Sequence, residues 1–498
     1  MEGQDIIALL IIALFMLIPL MMGLFAGKKS IPTTEDYFVQ GRGMGSVAVF
    51  FTVAATWWSS FAFLGSNAYF YLKGPLYWTA IAWNIFFGIM YFGVGKKVWY
   101  FGKLNNLITP KDFFMHHYGS EKLGNIIAIV MLIFTLPYLQ IQLTGGAYLI
   151  ETASNHLIPF WGAALMFYLV IIIYVWSGGL RAVAWTDIFY GVLLFFGMVA
   201  AGLYIVYLPT VGGITEMFNK IGETRPENLI IGNNWMSWVA MFIITPVGSF
   251  MGPQLWTRMY AVKSPKLFGL MPFLLGVAAI AYFGSMLVGN SANILTPGIE
   301  NTIGADKVLP TILYTYAPFI LSAFIIACGA AAAMSTANSQ IHSMSAVYTV
   351  DFHKRYINKN LSEKQLVWVG RWAILVLSAI AYVMCLTVPG LLVNIGLVAL
   401  AGTAQVIVPT VGALFYKKST TAGAIVGLMV GVVVLICVTF GVFSAPGAFA
   451  NGGGGLFALI CNAVAFLIVS NVSKQRDSKL LEKLQGEFDD FYAGRNMN

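Results

Sequence analysis

Residues 244–258 read ITPVGSFMGPQLWTR and lie inside an apolar run. Pro246, Gly248, Gly252 and Pro253 cannot all sit in one unbroken helix, because proline removes a backbone donor and clashes with the preceding turn. An unwound segment is expected here; the alternative is a proline kink satisfied by neighbouring helices. A second stretch, AATWWSSFAFLGSNAY at 54–69, sets glycine and hydroxyl side chains in the middle of another apolar run. Broken membrane helices expose carbonyls and helix ends where ions and solutes bind.

The rest of the chain supplies the setting. Of its 498 residues, 59% are hydrophobic and 10% charged, against about 25% charged in soluble domains. Apolar runs of roughly 20 residues, enough to cross a bilayer, recur from end to end. A β-barrel would show short alternating segments instead. Thirteen spans are expected, near 5–27, 45–71, 75–95, 125–152, 159–176, 185–208, 236–261, 267–290, 317–347, 366–388, 391–416, 421–444 and 455–472. The first follows Glu2 and Asp5 rather than a basic leader and reads as a retained helix, not a signal peptide. With the N-terminus outside, 24 of the 28 Lys and Arg fall on the cytoplasmic side, Lys28, Lys29, Arg181 and Arg258 among them. That asymmetry predicts an N-out, C-in protein of the cell membrane. It also accounts for the net charge of +8 without nucleic acid.

Spans two and seven are five apart. A second five-helix copy would therefore be inverted relative to the first, and breaks at corresponding positions point to a transport site near the midplane. The expected organisation is an extra helix and cytoplasmic loop at 1–44, a first repeat at 45–208, an extracellular loop at 209–235 and an inverted second repeat at 236–416. Two extra helices at 417–472 and a cytoplasmic tail at 473–498, a frayed or surface helix, complete it. His116 and His117 read as a solvated loop pair without a third metal ligand. NGGGG at 451–455 lacks the Gly-Lys-Ser/Thr ending of a phosphate loop and reads as a flexible turn. The four cysteines lie in apolar segments without metal-ligand spacing.

Two further polar clusters fall inside spans. In LPYLQIQLTGG, 136–146, Tyr138 and Gln142 share a helix face; they line a cavity, or Gly145 and Gly146 mark close helix packing. In GAAAAMSTANSQ, 329–340, the Ala332 carbonyl and the hydroxyls of Ser335 and Thr336 converge on one patch. Three neutral oxygens suit a small hard cation; back-bonding to the helix or tight helix packing are the alternatives. Asp187, closing SGGLRAVAWTD, is either a carboxylate favoured by a helix N-terminus or part of an ion pathway.

Four stretches together resemble the sodium:solute symporter family, which moves sugars, amino acids, vitamins and carboxylates with sodium. They are DYFVQGRGMG at 36–45, SGGLRAVAWTD at 177–187, AAAMSTANSQIHSMSAVYTVDFHKR at 331–355 and LAGTAQVIVPTVGALFYKKSTTAGAIVG at 400–427. The resemblance, over about residues 5–470, implies an all-α LeuT-like five-plus-five inverted repeat. It implies a sodium ion held by the backbone carbonyls of Ala55, Trp58 and Ala332 and the side chains of Ser335 and Thr336, with Asp187 on the ion pathway. It further implies that spans 2, 4, 7 and 9 line the solute pocket; Ser59, Ser60, Phe63, Tyr138, Gln142 and Gln254 are the residues selected. WSSFAFLGSNAY at 58–69 and GPQLWTRMYAVKS at 252–264 are similar to the monocarboxylate and pantothenate branches. Proline-transporting relatives carry an Asp where this chain has Trp57. No Arg or Lys is expected mid-membrane among these spans, so an anionic solute would rest on helix N-termini, amides and hydroxyls.

The expectation is thus a sodium symporter of a small carboxylate, embedded in the bilayer, with no nucleic acid and no obligate protein partner. The alternatives are a sugar or amino acid solute, proton coupling through Asp187, and a transporter-like nutrient sensor, for which the tail is too short to carry a kinase domain. No Cys/His or Ser/His/Asp constellation marks an enzyme.

Overall fold

The computed structural model describes residues 3–28 and 31–497. Glu2 and Lys29, used above for the leader and the charge count, lie outside the described residues. Apart from one isolated bridge between Met44 and Val262, the regular structure of the described residues is helical.

Ten helices are long and apolar enough to cross a membrane, and the pair Ser46–Trp57 and Phe61–Tyr77, bent by 56°, makes an eleventh. The thirteen-span reading adds two more. The stretch near 75–95 is a helix, Thr79–Met90, that runs through a π turn into Lys96–Leu104. The stretch near 159–176 is a shorter apolar helix, Phe160–Ile173. Neither is among the helices of spanning length and composition.

Phe160–Val206 is two helices that meet at Gly179, where φ is 54°. A Cβ there would sit 2.6 Å from the Tyr37 carbonyl oxygen, so both the backbone sign and the close approach require glycine.

The hub is Phe319–Ala346. Every residue from 325 to 346 is buried. Its run of small side chains lets neighbours approach closely, as in other membrane helix pairs; a Cβ on Gly329 would lie 2.6 Å from the Phe63 ring. Ser46–Trp57, Glu121–Ala153, Pro253–Ala261 and Glu363–Thr387 pack around it.

The break in the seventh stretch is narrower than expected. Pro246 and Gly248 lie inside a continuous helix, Trp235–Met251. Only Gly252 leaves it, with φ −63° and ψ 140°, before Pro253–Ala261 begins. Proline at a first helical position gives up a donor that has no intrahelical partner anyway, so Gly-Pro encodes the stop and the restart together. Helix geometry survives around Gly248 because Leu392–Ala404 packs there: Thr403 Oγ1 donates to the Gly248 carbonyl at 2.8 Å.

One loop expectation is corrected. His117 is fully buried, not solvated, with Nδ1 2.9 Å from the Phe113 carbonyl; burial pushes its imidazole well below the usual histidine range. His116 Nε2 lies 2.7 Å from Glu487. Glu487 belongs to the tail, which of the two expected forms, frayed or surface helix, takes the helical one over Ser478–Tyr492. The tail is anchored further where Lys97 Nζ donates to Tyr492 Oη at 2.8 Å. NGGGG at 451–455 forms a turn and then opens the helix Gly454–Val472.

Candidate functional site

The first break contains neither proline nor glycine. Ser46–Trp57 stops at Trp58, whose ψ is 90°, and the chain restarts through a π turn, Phe61–Gly65, into Ser66–Lys73. A restarted helix has backbone donors without intrahelical partners, and here side chains take them. Ser60 N–H donates to Gln142 Oε1 at 2.9 Å and Phe61 N–H to Ser59 Oγ at 3.2 Å. Ser59 Oγ and Tyr138 Oη are 3.2 Å apart, and Gln142 Nε2 donates to the Tyr138 carbonyl at 3.0 Å. Four of the six selected solute residues, Ser59, Ser60, Tyr138 and Gln142, therefore form one network. The face carrying Tyr138 and Gln142 also packs closely: a Cβ on Gly145 would lie 2.6 Å from Ser60. Phe63 points elsewhere, against Gly329. Gln254 sits just past the second break. All six are at most 5% exposed, and Ser60 Oγ and Gln254 Oε1 are buried without hydrogen-bond partners.

One turn earlier, oxygens from two helices meet. Ser335 Oγ is 2.8 Å from both the Ala55 and Ala332 carbonyls. Thr336 Oγ1 is 3.4 Å from the Ala55 carbonyl and 3.1 Å from that of Thr56. The carbonyls of Ala55, Thr56 and Ala332 and the two hydroxyls are thus gathered in one buried patch. Such neutral oxygen donors fit a hard cation. Trp58 is not tied to them: among the described residues no hydrogen bond joins its carbonyl to Ser335 or Thr336. Its N–H continues the helix to Ala54 at 2.8 Å and its ring lies 6.0 Å from that of Phe195. The Thr56 carbonyl joins the gathering. Sequence reasoning passed over it, although Thr56 directly follows a predicted ligand. In the same helix Asn338 and Gln340 are fully buried and their amides have no hydrogen-bond partner.

Beside the patch lies an ion pair that the sequence reading missed. Arg258 and Asp187 are both fully buried, with Nη2 3.1 Å from Oδ2. Arg258, read from the sequence as a cytoplasmic-side cation, is instead buried within the helix bundle. The cause is the Gly252–Pro253 break, after which every residue of Pro253–Ala261 is buried. A charge with no route to water must be paired and hydrogen-bonded, and it is. Arg258 Nε donates to Thr52 Oγ1 at 2.9 Å and Nη1 to the Gln254 carbonyl at 2.7 Å. Nη2 also donates to Ser339 Oγ, and Thr52 Oγ1 donates to Asp187 Oδ2. Ser339 Oγ donates to the Ser335 carbonyl at 2.8 Å and lies 3.0 Å from Thr56 Oγ1. The pair therefore joins the cation patch through Ser339.

Known proteins resemble the chain in sequence and in fold. The chain is 26% identical to a sodium/pantothenate symporter of Haemophilus influenzae over 418 residues, 80% of this chain and 82% of that one. It is 26% identical over 432 residues to a sodium/proline symporter of Salmonella typhimurium, with 83% and 84% covered. In fold it matches a sodium-coupled sialic acid symporter, with a TM-score of 0.80 at 19% identity, over 95% of this chain and 98% of that one. A nucleobase-cation-symport-1 family transporter matches with a TM-score of 0.56 at 14% identity, over 91% and 98%. The architecture is that of LeuT-like transporters. The model of the sodium:solute symporter family matches residues 37–431, a span that holds both breaks, the oxygen patch and the buried ion pair, and the chain belongs to that family.

Proposed function

We propose that this protein imports a small carboxylate, a monocarboxylate or a pantothenate-like acid, together with sodium by alternating access. Family membership makes it a multi-pass membrane transporter with sodium as coupling ion, not an enzyme. The finer reading places it in the cell membrane with thirteen spans, N-out and C-in, and inverted halves at 45–208 and 236–416. Sodium binds where Ser335 and Thr336 face the Ala55, Thr56 and Ala332 carbonyls, with the Trp58 carbonyl as a further ligand. Asp187 lies on its pathway. Sodium stabilises the outward-open arrangement, the solute binds at the breaks beside Ser59, Ser60, Tyr138, Gln142 and Gln254 with Phe63 behind them, and rocking of one bundle releases both inward.

The observation that carries this reading is the gathering of five uncharged oxygens from a broken helix and the hub. Hydroxyl and carbonyl groups hold a dehydrated cation but do not relay protons as a carboxylate does. The solute class rests on GPQLWTRMYAVKS and on the pantothenate-transporting relative. Trp57, in place of an acid, argues against proline.

The test uses purified protein in sealed liposomes under an inward sodium gradient and, separately, a proton gradient. Uptake of labelled pyruvate, acetate, pantothenate, proline and glucose is followed in the wild type and in Thr336→Ala. Sodium-driven carboxylate uptake that falls at least about tenfold in Thr336→Ala is expected, the loss of one ion ligand being worth roughly 1.4 kcal/mol or more. Uptake driven by protons alone and indifferent to Thr336→Ala would overturn the sodium site, and glucose as the sole substrate would overturn the carboxylate.

A further inference from the structure

We propose that Arg258 is the positioning residue that ties the second half of the broken span, Pro253–Ala261, to the cation patch, so that movement of that half-helix changes sodium affinity. The inference rests on the sodium reading above and adds to it a residue on a third helix. Guanidinium carries five donors in a planar fork. In this protein the fork holds partners on three other helices: Thr52 on Ser46–Trp57, Asp187 on the helix after Gly179, and Ser339 on the hub. Its remaining bond goes to the Gln254 carbonyl one turn back, at 2.7 Å, which fixes the fork to the start of its own half-helix.

Two features separate this from a stabilising ion pair. First, the partners adjoin the patch. Ser339 donates to the Ser335 carbonyl and lies beside Thr56 Oγ1, and Ser335 and Thr56 both contribute oxygens to the patch. Second, the side-chain hydrogen bond from this half-helix to the hub is singular. Among the described residues, no other side chain of Pro253–Ala261 hydrogen-bonds to the hub; Thr257 bonds within its own helix and Tyr260 to the Thr109 carbonyl. A shift of this half-helix therefore reaches Ser335 through Arg258 and Ser339. Lysine in the same place would keep the charge, but a single ammonium cannot span Thr52, Asp187, Ser339 and the Gln254 carbonyl at once.

The experiment is a double-mutant cycle on sodium-driven uptake, with Arg258→Lys, Ser339→Ala and the double variant in liposomes. Size-exclusion profiles in detergent check folding. Arg258→Lys is expected to raise the half-saturating sodium concentration about tenfold, while the half-saturating solute concentration at saturating sodium moves less than about threefold. Ser339→Ala, which leaves the Arg258–Asp187 pair intact, is expected to raise half-saturating sodium about fivefold. The double variant should add less than about twofold to Arg258→Lys, because both substitutions cut one path. Additive effects, or equal shifts in sodium and solute dependence, would assign Arg258 a structural role and overturn the proposal. If Arg258→Lys fails to fold, an unchanged sodium dependence in Ser339→Ala overturns it alone. Thr336→Ala run alongside separates the two readings: if it leaves sodium dependence unchanged, the sodium site itself falls, whereas if it alone weakens sodium, only the role of Arg258 falls.

Discussion

The two broken spans solve one problem with different chemistry. At Trp58–Ser60 the backbone carries no residue that forbids a helix, and the interruption is held open by side chains, Gln142 of another helix on the Ser60 N–H and the break's own Ser59 on the Phe61 N–H. At Gly252–Pro253 the backbone itself dictates the stop, and what the neighbours supply is compensation for a buried charge. The first break presents neutral oxygens to the hub; the second delivers a guanidinium beside them. One helix, Leu392–Ala404, lies against both. Its Val393 faces Gly65 past the first break, and its Leu400 and Thr403 face Gly248 before the second. A break written in the backbone tolerates substitution at the break and is vulnerable where its flanking helix is packed. A break written in side chains is vulnerable at the side chains.

That contrast sets an order of effects. The largest is expected at Gly248, which is inside the helix and not at its interruption. A Cβ there would collide with the Leu400 carbonyl oxygen, a backbone atom that cannot swing aside. Overpacking of this kind costs about 1–3 kcal/mol, and more where the obstructing atom cannot move. Gly248→Ala is therefore expected to lose most folded protein, read as the monodisperse fraction in detergent. Near-wild-type yield would show that Leu392–Ala404 is free to move away from the span.

The next effect belongs to the first break. Gln142→Leu keeps approximate volume and removes the acceptor for Ser60 N–H, leaving a buried donor unpaired at about 1–3 kcal/mol. Thermal unfolding in detergent should shift down, and solute uptake should fall with it, because Ser60, whose N–H loses its acceptor, belongs to the proposed solute site. A variant that unfolds at the wild-type temperature would mean that the Trp58–Ser60 break does not depend on its side-chain cap.

What the sequence disclosed follows the same division. The Gly252–Pro253 break was legible because proline and glycine act through the chain itself, and the Ser335–Thr336 patch was legible because hydroxyls one residue apart on a helix must lie close. The site of the first break within 54–69 was not, since it depends on Gln142, far away in sequence. Arg258 was misread for a related reason. Residue type and distance from the end of an apolar run place a basic residue in a loop, but a break turns the following helix inward, and nothing local records the direction. Thr56 was passed over because its contribution is a carbonyl, which every residue has. His117 reads as polar, yet it packs at ring distances of 4.1 Å from Phe113 and 4.7 Å from Phe101, partners that only the folded chain supplies.

The smallest effect on stability is expected at the residue that looks most critical, Gly252. Its φ of −63° and ψ of 140° are open to any residue, and they are the conformation that a following proline favours. Alanine there introduces no backbone strain and restricts the unfolded chain, a change worth under about 1 kcal/mol in favour of folding. The atoms nearest the added Cβ belong to the Gln254 side chain, 2.5 Å away at Nε2, and a terminal amide can rotate. The substitution therefore transfers its effect from stability to the site. Gly252→Ala should unfold at or slightly above the wild-type temperature, while its half-saturating solute concentration rises because Gln254 has been turned. Half-saturating sodium should stay put, since Arg258 bonds to the Gln254 carbonyl and not to its side chain. A variant unchanged in both would remove Gln254 from the solute pocket, and one that loses sodium affinity instead would mean that the conformation of Gly252, rather than the fork of Arg258, sets the distance between the second break and the patch.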